Sequence, residues 1–157
     1  MNKELFSVFV GKGVRIGRGG HESKEGLLLG AYGTHIALFT EAEGVIYFPY
    51  SHLKSVTSFA KGKLNYDEMF NTIELLPNES FVDLLNSQVR QWVKINRGGH
   101  DKVEGILLDA NNDYVEISFN DELVYIATYH IKSVSFGEKF EVYERNTTTS
   151  QTLRRRK

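Results

Sequence analysis

The chain has 157 residues, with 19 Lys and Arg against 20 Asp and Glu, a formal net charge of −1. That length holds one ordinary domain or two very small ones and excludes a large multidomain enzyme. The balanced charge excludes bulk nucleic-acid binding, which needs a field of cations to release counterions, and the absence of cysteine removes disulfides, thiolate metal sites and cysteine nucleophiles together.

Hydrophobic residues at 41% and charged residues at 25% match a folded chain rather than a disordered one. No apolar run reaches the roughly 18 residues of a membrane-spanning helix. The start, Met1-Asn2-Lys3-Glu4, has no secretory-signal pattern, so synthesis in the cytoplasm with no membrane partner is expected. Fourteen glycines, two prolines and many β-branched and aromatic residues point to strands joined by glycine turns.

Internal repetition organises everything else. The stretch Val14 to Leu29, containing Arg18-Gly19-Gly20-His21-Glu22 and Glu25-Gly26, returns about 79 positions later as Val93 to Leu108, containing Arg97-Gly98-Gly99-His100-Asp101 and Glu104-Gly105. With a one-residue gap near Gly44 the match continues from Ile46-Tyr47 against Val124-Tyr125 to His52-Leu53-Lys54-Ser55-Val56 against His130-Ile131-Lys132-Ser133-Val134. About 16 of about 43 aligned positions are identical, which reads as a tandem duplication.

In chain order, each unit opens with a short helical pattern: Leu5, Phe6 and Val10 within Lys3 to Gly11, and Phe81, Leu84, Leu85 and Val89 within Ser80 to Val89. Asn78 or Ser80 is the expected N-cap of the second. Strands follow. Val14 and Ile16 alternate with polar residues, as do Val93 and Ile95, while Leu27 to Leu29 and Ile106 to Leu108 are continuous apolar runs that suit strands buried on both faces. Turn chemistry at Tyr32-Gly33-Thr34 and Asn111-Asn112-Asp113 precedes strands His35 to Phe39 and Tyr114 to Ser118. Two more strands are predicted in each unit: Val45 to Phe48 and Leu123 to Ile126, then His52 to Val56 and His130 to Val134.

Five short strands in roughly 55 residues bury a core only by bending on themselves. This order, helix then five strands, is similar to the Sm-like (SH3-like) barrel, with Gly26, Gly105 and the Asp109-to-Val115 stretch matching the first Sm motif. The Arg-Gly pair of the second Sm motif is in neither unit, and Asp113 and Thr34 stand where the first places a nucleotide-contacting Asn. The resemblance implies a fold rather than RNA reading. The predicted fold class is mainly β: two tandem small Sm-like bent five-stranded barrels, each preceded by a short helix. Residues 1–58 form the first repeat, 59–77 a structured connector, 78–144 the second repeat and 145–157 a disordered basic tail rich in Ser and Thr.

The twin loops Arg18, Gly19, Gly20, His21, Glu22 and Arg97, Gly98, Gly99, His100, Asp101 concentrate the unusual residues. Paired glycines allow positive φ and a sharp turn, with Arg and the acidic residue bridging it; loops held on a rigid scaffold also serve as contact surfaces. A metal site would draw on His21, Glu22, His100 and Asp101, only two ligands per loop, so no metal is assigned. His52 and His130 would join it only if their strands lay beside the loops.

No catalytic pattern occurs. His21-Glu22-Ser23-Lys24-Glu25 begins like a zinc-protease helix but ends in Glu, and G-x-S-x-G, Walker A and G-x-G-x-x-G are absent. The chain reads as a non-enzyme without cofactor. The cluster Tyr47-Phe48-Pro49-Tyr50 reads as core and interface packing, because a base-stacking groove needs more flanking cations than Lys54.

Trp92 to Gly99, Glu104-Gly105-Ile106-Leu107 and His130 to Ser135 resemble the repeat of the CotB family of endospore outer-coat proteins of bacilli, and Arg18 to Gly26 with His52 to Val56 resemble a second copy. The likeness covers about residues 1–144. It implies a structural component of the spore coat or exosporium, made in the mother cell, deposited on the forespore, and binding itself and other spore coat proteins. His21 and His100 stand where the family has Pro. The family's long Ser/Lys-rich tail, a kinase substrate, is reduced here to a stretch with Thr147, Thr148, Thr149, Ser150 and Thr152 before Arg154-Arg155-Arg156-Lys157, and phosphorylation there would add about −1.5 to −2 charge per site.

Self-association is expected through strand edges carrying unpaired N–H and C=O groups, with candidates Val45, Tyr47, Tyr50, His52 and Lys54 in the first unit and Tyr125, Thr128, His130 and Lys132 in the second. The first unit is expected to pair one edge with the second, leaving one edge free at each end. Two alternatives remain open: an Sm-like nucleic-acid binder using Arg18, Arg97 and the basic tail, and a metal-binding module using the twin loops.

Overall fold

A computed structural model describes residues 1–59, 73–97 and 99–137. Most of the connector, Gly98, the extension after Gly137 and the whole Ser/Thr tail with its five candidate phosphorylation positions lie outside the described residues.

Both helices are shorter than the apolar periodicity predicts. α1 spans Lys3–Ser7, with the Asn2 side chain accepting from the Leu5 N–H at 3.0 Å. α2 spans Phe81–Asn86, capped by Ser80, whose Oγ accepts from the Asp83 N–H. Helices of five and six residues are not stable alone and persist here by burying one face: Phe6 from α1, and Phe81, Leu84 and Leu85 from α2.

The strands are β1 (Gly13–Ile16), β2 (Lys24–Ala31), β3 (His35–Thr40), β4 (Gly44–Pro49) and β5 (Val56–Ser58), then β6 (Trp92–Ile95), β7 (Val103–Ala110), β8 (Tyr114–Phe119), β9 (Glu122–Ala127) and β10 (Val134–Phe136). They form one ten-stranded antiparallel sheet in the order β5-β1-β2-β3-β4-β10-β6-β7-β8-β9. The protein is mainly β. The five front strands and the five back strands run in the same order, and the two blocks meet where β4 pairs with β10 at Tyr47 and Val134.

Local detail repeats too. The β2–β3 ladder shifts register between Leu28 and Gly30, and the β7–β8 ladder shifts at the matched Leu107 and Asp109. A bulge there turns the strand sharply. Just before it, Gly26 and Gly105 lie so close to the next strand that a side-chain carbon on either would overlap the carbonyl oxygen of Phe39 or Ser118. Glycine stands at both positions because backbone occupies the space of a side chain.

The apolar residues form two clusters. One holds Phe6 with the inward residues of the front strands, including Val14, Leu28, Ile36, Leu38, Ile46 and Phe48. The other joins the back block to the outer face of the front block: Leu27, Leu29, Ala37 and Tyr47 share a core with α2 and with Val93, Ile95, Leu107, Val115, Ile117 and Val134. β2 is therefore buried on both faces, as its apolar run predicts. β7 is not. Ile106 is half-buried and Leu108 exposed, because no described element covers the outer face of the back block as the shared core with α2 and the back strands covers that of the front.

Polar contacts lock the two blocks. Glu43, in the β3–β4 turn, accepts from Lys24 Nζ at 2.7 Å and from Arg97 Nε across the junction. Arg97 also donates to Ser135 Oγ. Burial pushes the Glu43 carboxyl up, but the hydrogen bond from Lys24 and the charge and hydrogen bond of Arg97 outweigh it and leave it below the ordinary value.

Two outcomes follow. Gly26→Ala is expected to cost about 3 kcal/mol in urea unfolding because backbone must move, whereas Gly19→Ala, with open space around it and no positive φ, stays within about 0.5 kcal/mol; equal costs would contradict the close-approach account. Glu43→Gln is expected to lose about 1–3 kcal/mol at pH 7. Because the folded carboxyl titrates below its unfolded value, wild type keeps this contribution above the unfolded pKa and loses it as pH falls through the lowered folded value. Wild type's advantage over the variant should therefore narrow on acidification, and a stability gap that does not change with pH would contradict the assignment.

Candidate functional site

The twin loops are shaped by residues just before their glycines. Gly17 (φ +75°) and its counterpart Asn96 (φ +56°) both turn the chain through the left-handed region, which Gly and Asn tolerate best. Each donates its N–H to the matched carbonyl of the last segment of its block, Gly17 to Ser55 at 3.0 Å and Asn96 to Ser133 at 2.9 Å. Asn96 is buried; its Oδ1 accepts from the Lys132 N–H at 2.7 Å and its Nδ2 donates to Asp101 at 3.1 Å. Of the paired glycines Gly20 takes the expected positive φ, +84°, while Gly19 and Gly99 are not left-handed, so Gly17 and Asn96 share the turning. Gly98 is outside the described residues.

The sheet order brings the two loops together. The rings of His21 and His100 meet edge to face, 5.1 Å between centroids. Glu22 accepts from Ser133 Oγ at 2.9 Å, so the first loop is held by the back block, and Arg97 of the second loop is held by Glu43 of the front block. Arg18 donates to Thr57 Oγ1 at 3.2 Å. Between the loops opens a cleft of about 560 Å³ whose walls also include His52, Lys54 and Lys132, with Lys132 Nζ 3.5 Å from Asp101. His52 and Lys54 thus border the loops rather than pointing away from them. His130 instead lies beside Tyr129, and its carbonyl accepts from Asn96 Nδ2.

The cleft holds imidazoles and ammonium groups together with carboxylates hydrogen-bonded to neighbours, and among the described residues no hydroxyl hydrogen-bonded to an imidazole lines it. Such a contact occurs at Thr34 and His35, 3.4 Å apart, away from the cleft walls. Among the described residues no group of three or more His, Asp or Glu side chains is placed to hold a metal ion.

The strand-edge candidates need correction. Val45 and Tyr47 lie on β4, which is paired on both sides, by β3 and β10, and Tyr47 is buried. Tyr50 and His52 form a 3-10 turn, Tyr50–His52, and Thr128 and His130 its counterpart, Thr128–His130. Lys54 and Lys132 are in the short links that follow. The alternation from His52 to Val56 imitates a strand, yet the chain must round a corner, which Leu53 and Ile131 do by donating to Tyr50 and Thr128. Strand pairing begins only at Val56 and Val134. Of the nine candidates, Tyr125 alone sits on an outer edge strand, β9. The other outer strand is β5.

Two junction residues escaped the sequence reading. Glu43 lies in a turn at the alignment gap, where a solvated acid is the ordinary expectation. His35 is fully buried, stacked on Tyr32 at 5.0 Å and edge-on to Phe81 of α2 at 5.8 Å. Burial pushes its imidazole down to about 4, against a smaller opposite pull from Glu79. The period of two that puts His35 on the face of Ala37 was the available signal.

No protein-family model matches the chain, and no solved structure matches it. Spore coat protein B of Bacillus subtilis (strain 168) is 34% identical over 135 residues, covering 86% of this chain and 35% of that protein's length. The chain thus spans about a third of the curated relative it matches. This similarity across most of its residues relates the chain to the CotB family of spore coat proteins.

Proposed function

We propose that the protein is a structural, non-enzymatic component of the bacterial spore coat, made in the mother cell and laid down on the spore or its exosporium. It acts there as a pair of tandem Sm-like repeats that associate with further copies and with other coat proteins through their strand edges. One observation carries this reading: two five-strand blocks of the same order are joined side by side by β4 and β10, with β5 and β9 left at the ends of the sheet. An open sheet end presents N–H and C=O groups to pair, and a head-to-tail contact between unlike ends does not cap itself but admits another copy. The similarity to a spore coat protein supports the location and role. The cleft between the twin loops, with its side chains tied across the blocks, serves rigidity in this reading and not chemistry.

Light scattering from the purified full chain across a concentration series tests it. The expected result is a mass that climbs past two chains as concentration rises. A strict monomer at about millimolar concentration, where even weak contacts of about −4 kcal/mol populate, would contradict it.

A further inference from the structure

The back block leaves bare the face that the front block has covered. In the front block Tyr47 is 3% exposed and Leu29 4%, beneath α2 and the back core; the matched Tyr125 and Leu108 are 59% and 40% exposed, with Leu123 beside them at 56%. The aromatic arrangement is the same on both: His35 and Tyr47 meet edge-on at 6.0 Å, and the matched Tyr114 and Tyr125 at 5.6 Å. The helices show the converse. Leu84 of α2 is fully buried, while the matched Leu5 of α1 is exposed, as are Val8 and Val10 just after it. The bare sheet face and the bare helix flank are therefore the two sides of one contact, made once within the chain and absent once.

The charges show the same gap. Inside the chain Arg97 donates to Ser135 and pairs with Glu43. Its counterpart Arg18 makes the matching bond, to Thr57, and has no carboxylate partner among the described residues. The turn that matches Glu43's is one residue shorter; Asp121 stands just before β9 as Glu43 stands just before β4, and it is exposed and likewise without an ion pair among the described residues. Glu116 replaces Ala37 on the bare face, and α1 brings Lys3 where α2 has Val82, so the added charges have opposite sign.

We propose that the β9 edge and outer face of the back block receive β5 and α1 of a second copy, repeating the internal junction, with Asp121 of one chain paired with Arg18 of the next. This rests on the self-association reading above and names its geometry. The occupant is a second copy because the chain already contains the mating surface and, at β4 and β10, an example of the joint.

Charge exchange in the full chain tests it. Both positions are exposed, so Arg18→Asp and Asp121→Arg should fold like wild type, checked by circular dichroism and thermal midpoint. Each single variant is expected to raise the concentration needed for assembly by about tenfold or more, because like charges face each other. The double variant R18D/D121R, which restores an opposite-sign pair at every joint, is expected to assemble near the wild-type concentration. Single variants that assemble as wild type does, or a loss that the double variant fails to restore, would overturn this joint while leaving self-association intact. A wild-type chain that never assembles would overturn both.

Discussion

A short bent sheet has two open sides, and the structure turns on how their backbone groups are satisfied. Buried N–H and C=O groups cost about 1–3 kcal/mol each when unpaired, so a strand edge must face water or meet another strand. Here β4 meets β10. The hydrogen-bonded contact itself is narrow, and side chains widen it: Tyr47 packs beside Phe136 with ring centroids 5.9 Å apart, Glu43 grips Lys24 and Arg97, and α2 shares one apolar core with Leu27, Leu29 and Ala37. Burial of that face at about 25 cal/mol per Å² of apolar surface makes the joint part of the core. The two blocks cannot separate without exposing it.

This joint accounts for the difference between two stretches that look alike. Leu27 to Leu29 and Ile106 to Leu108 have the same apolar character, yet only the first is buried on both faces. A continuous apolar run suits a strand covered on both faces, and here only β2 is so covered among the described residues. The same holds for the helices, where Leu84 is covered and Leu5 is not.

Much of the fold was legible because each signal occurs twice in the sequence. Gly26 and Gly105 are both denied a side chain by the neighbouring backbone, and Gly17 with Asn96 reveals a left-handed turn that either sequence alone would hide. The strands from β1 to β4 and β6 to β9 follow from alternation and turn residues. What period-two reading missed is the corner: His52 and His130 sit in 3-10 turns because the chain must change direction there, and alternation over five residues carries no information about that. The ion pairs were hidden for another reason. Glu43 and Arg97 are 54 positions apart, and only the order of the strands brings them within reach. Meeting of the twin loops at His21 and His100 depends on the same order.

The central claim is that one type of joint operates within and between chains. Electron cryo-microscopy of the assembled 157-residue chain measures this directly. The account predicts that β9 of one chain lies against β5 of the next, with Tyr125 covered by α1, and that this joint superposes on the β4–β10 joint so that blocks repeat at even spacing. Assemblies whose chains touch through other surfaces, with both sheet ends left in solvent, would contradict it.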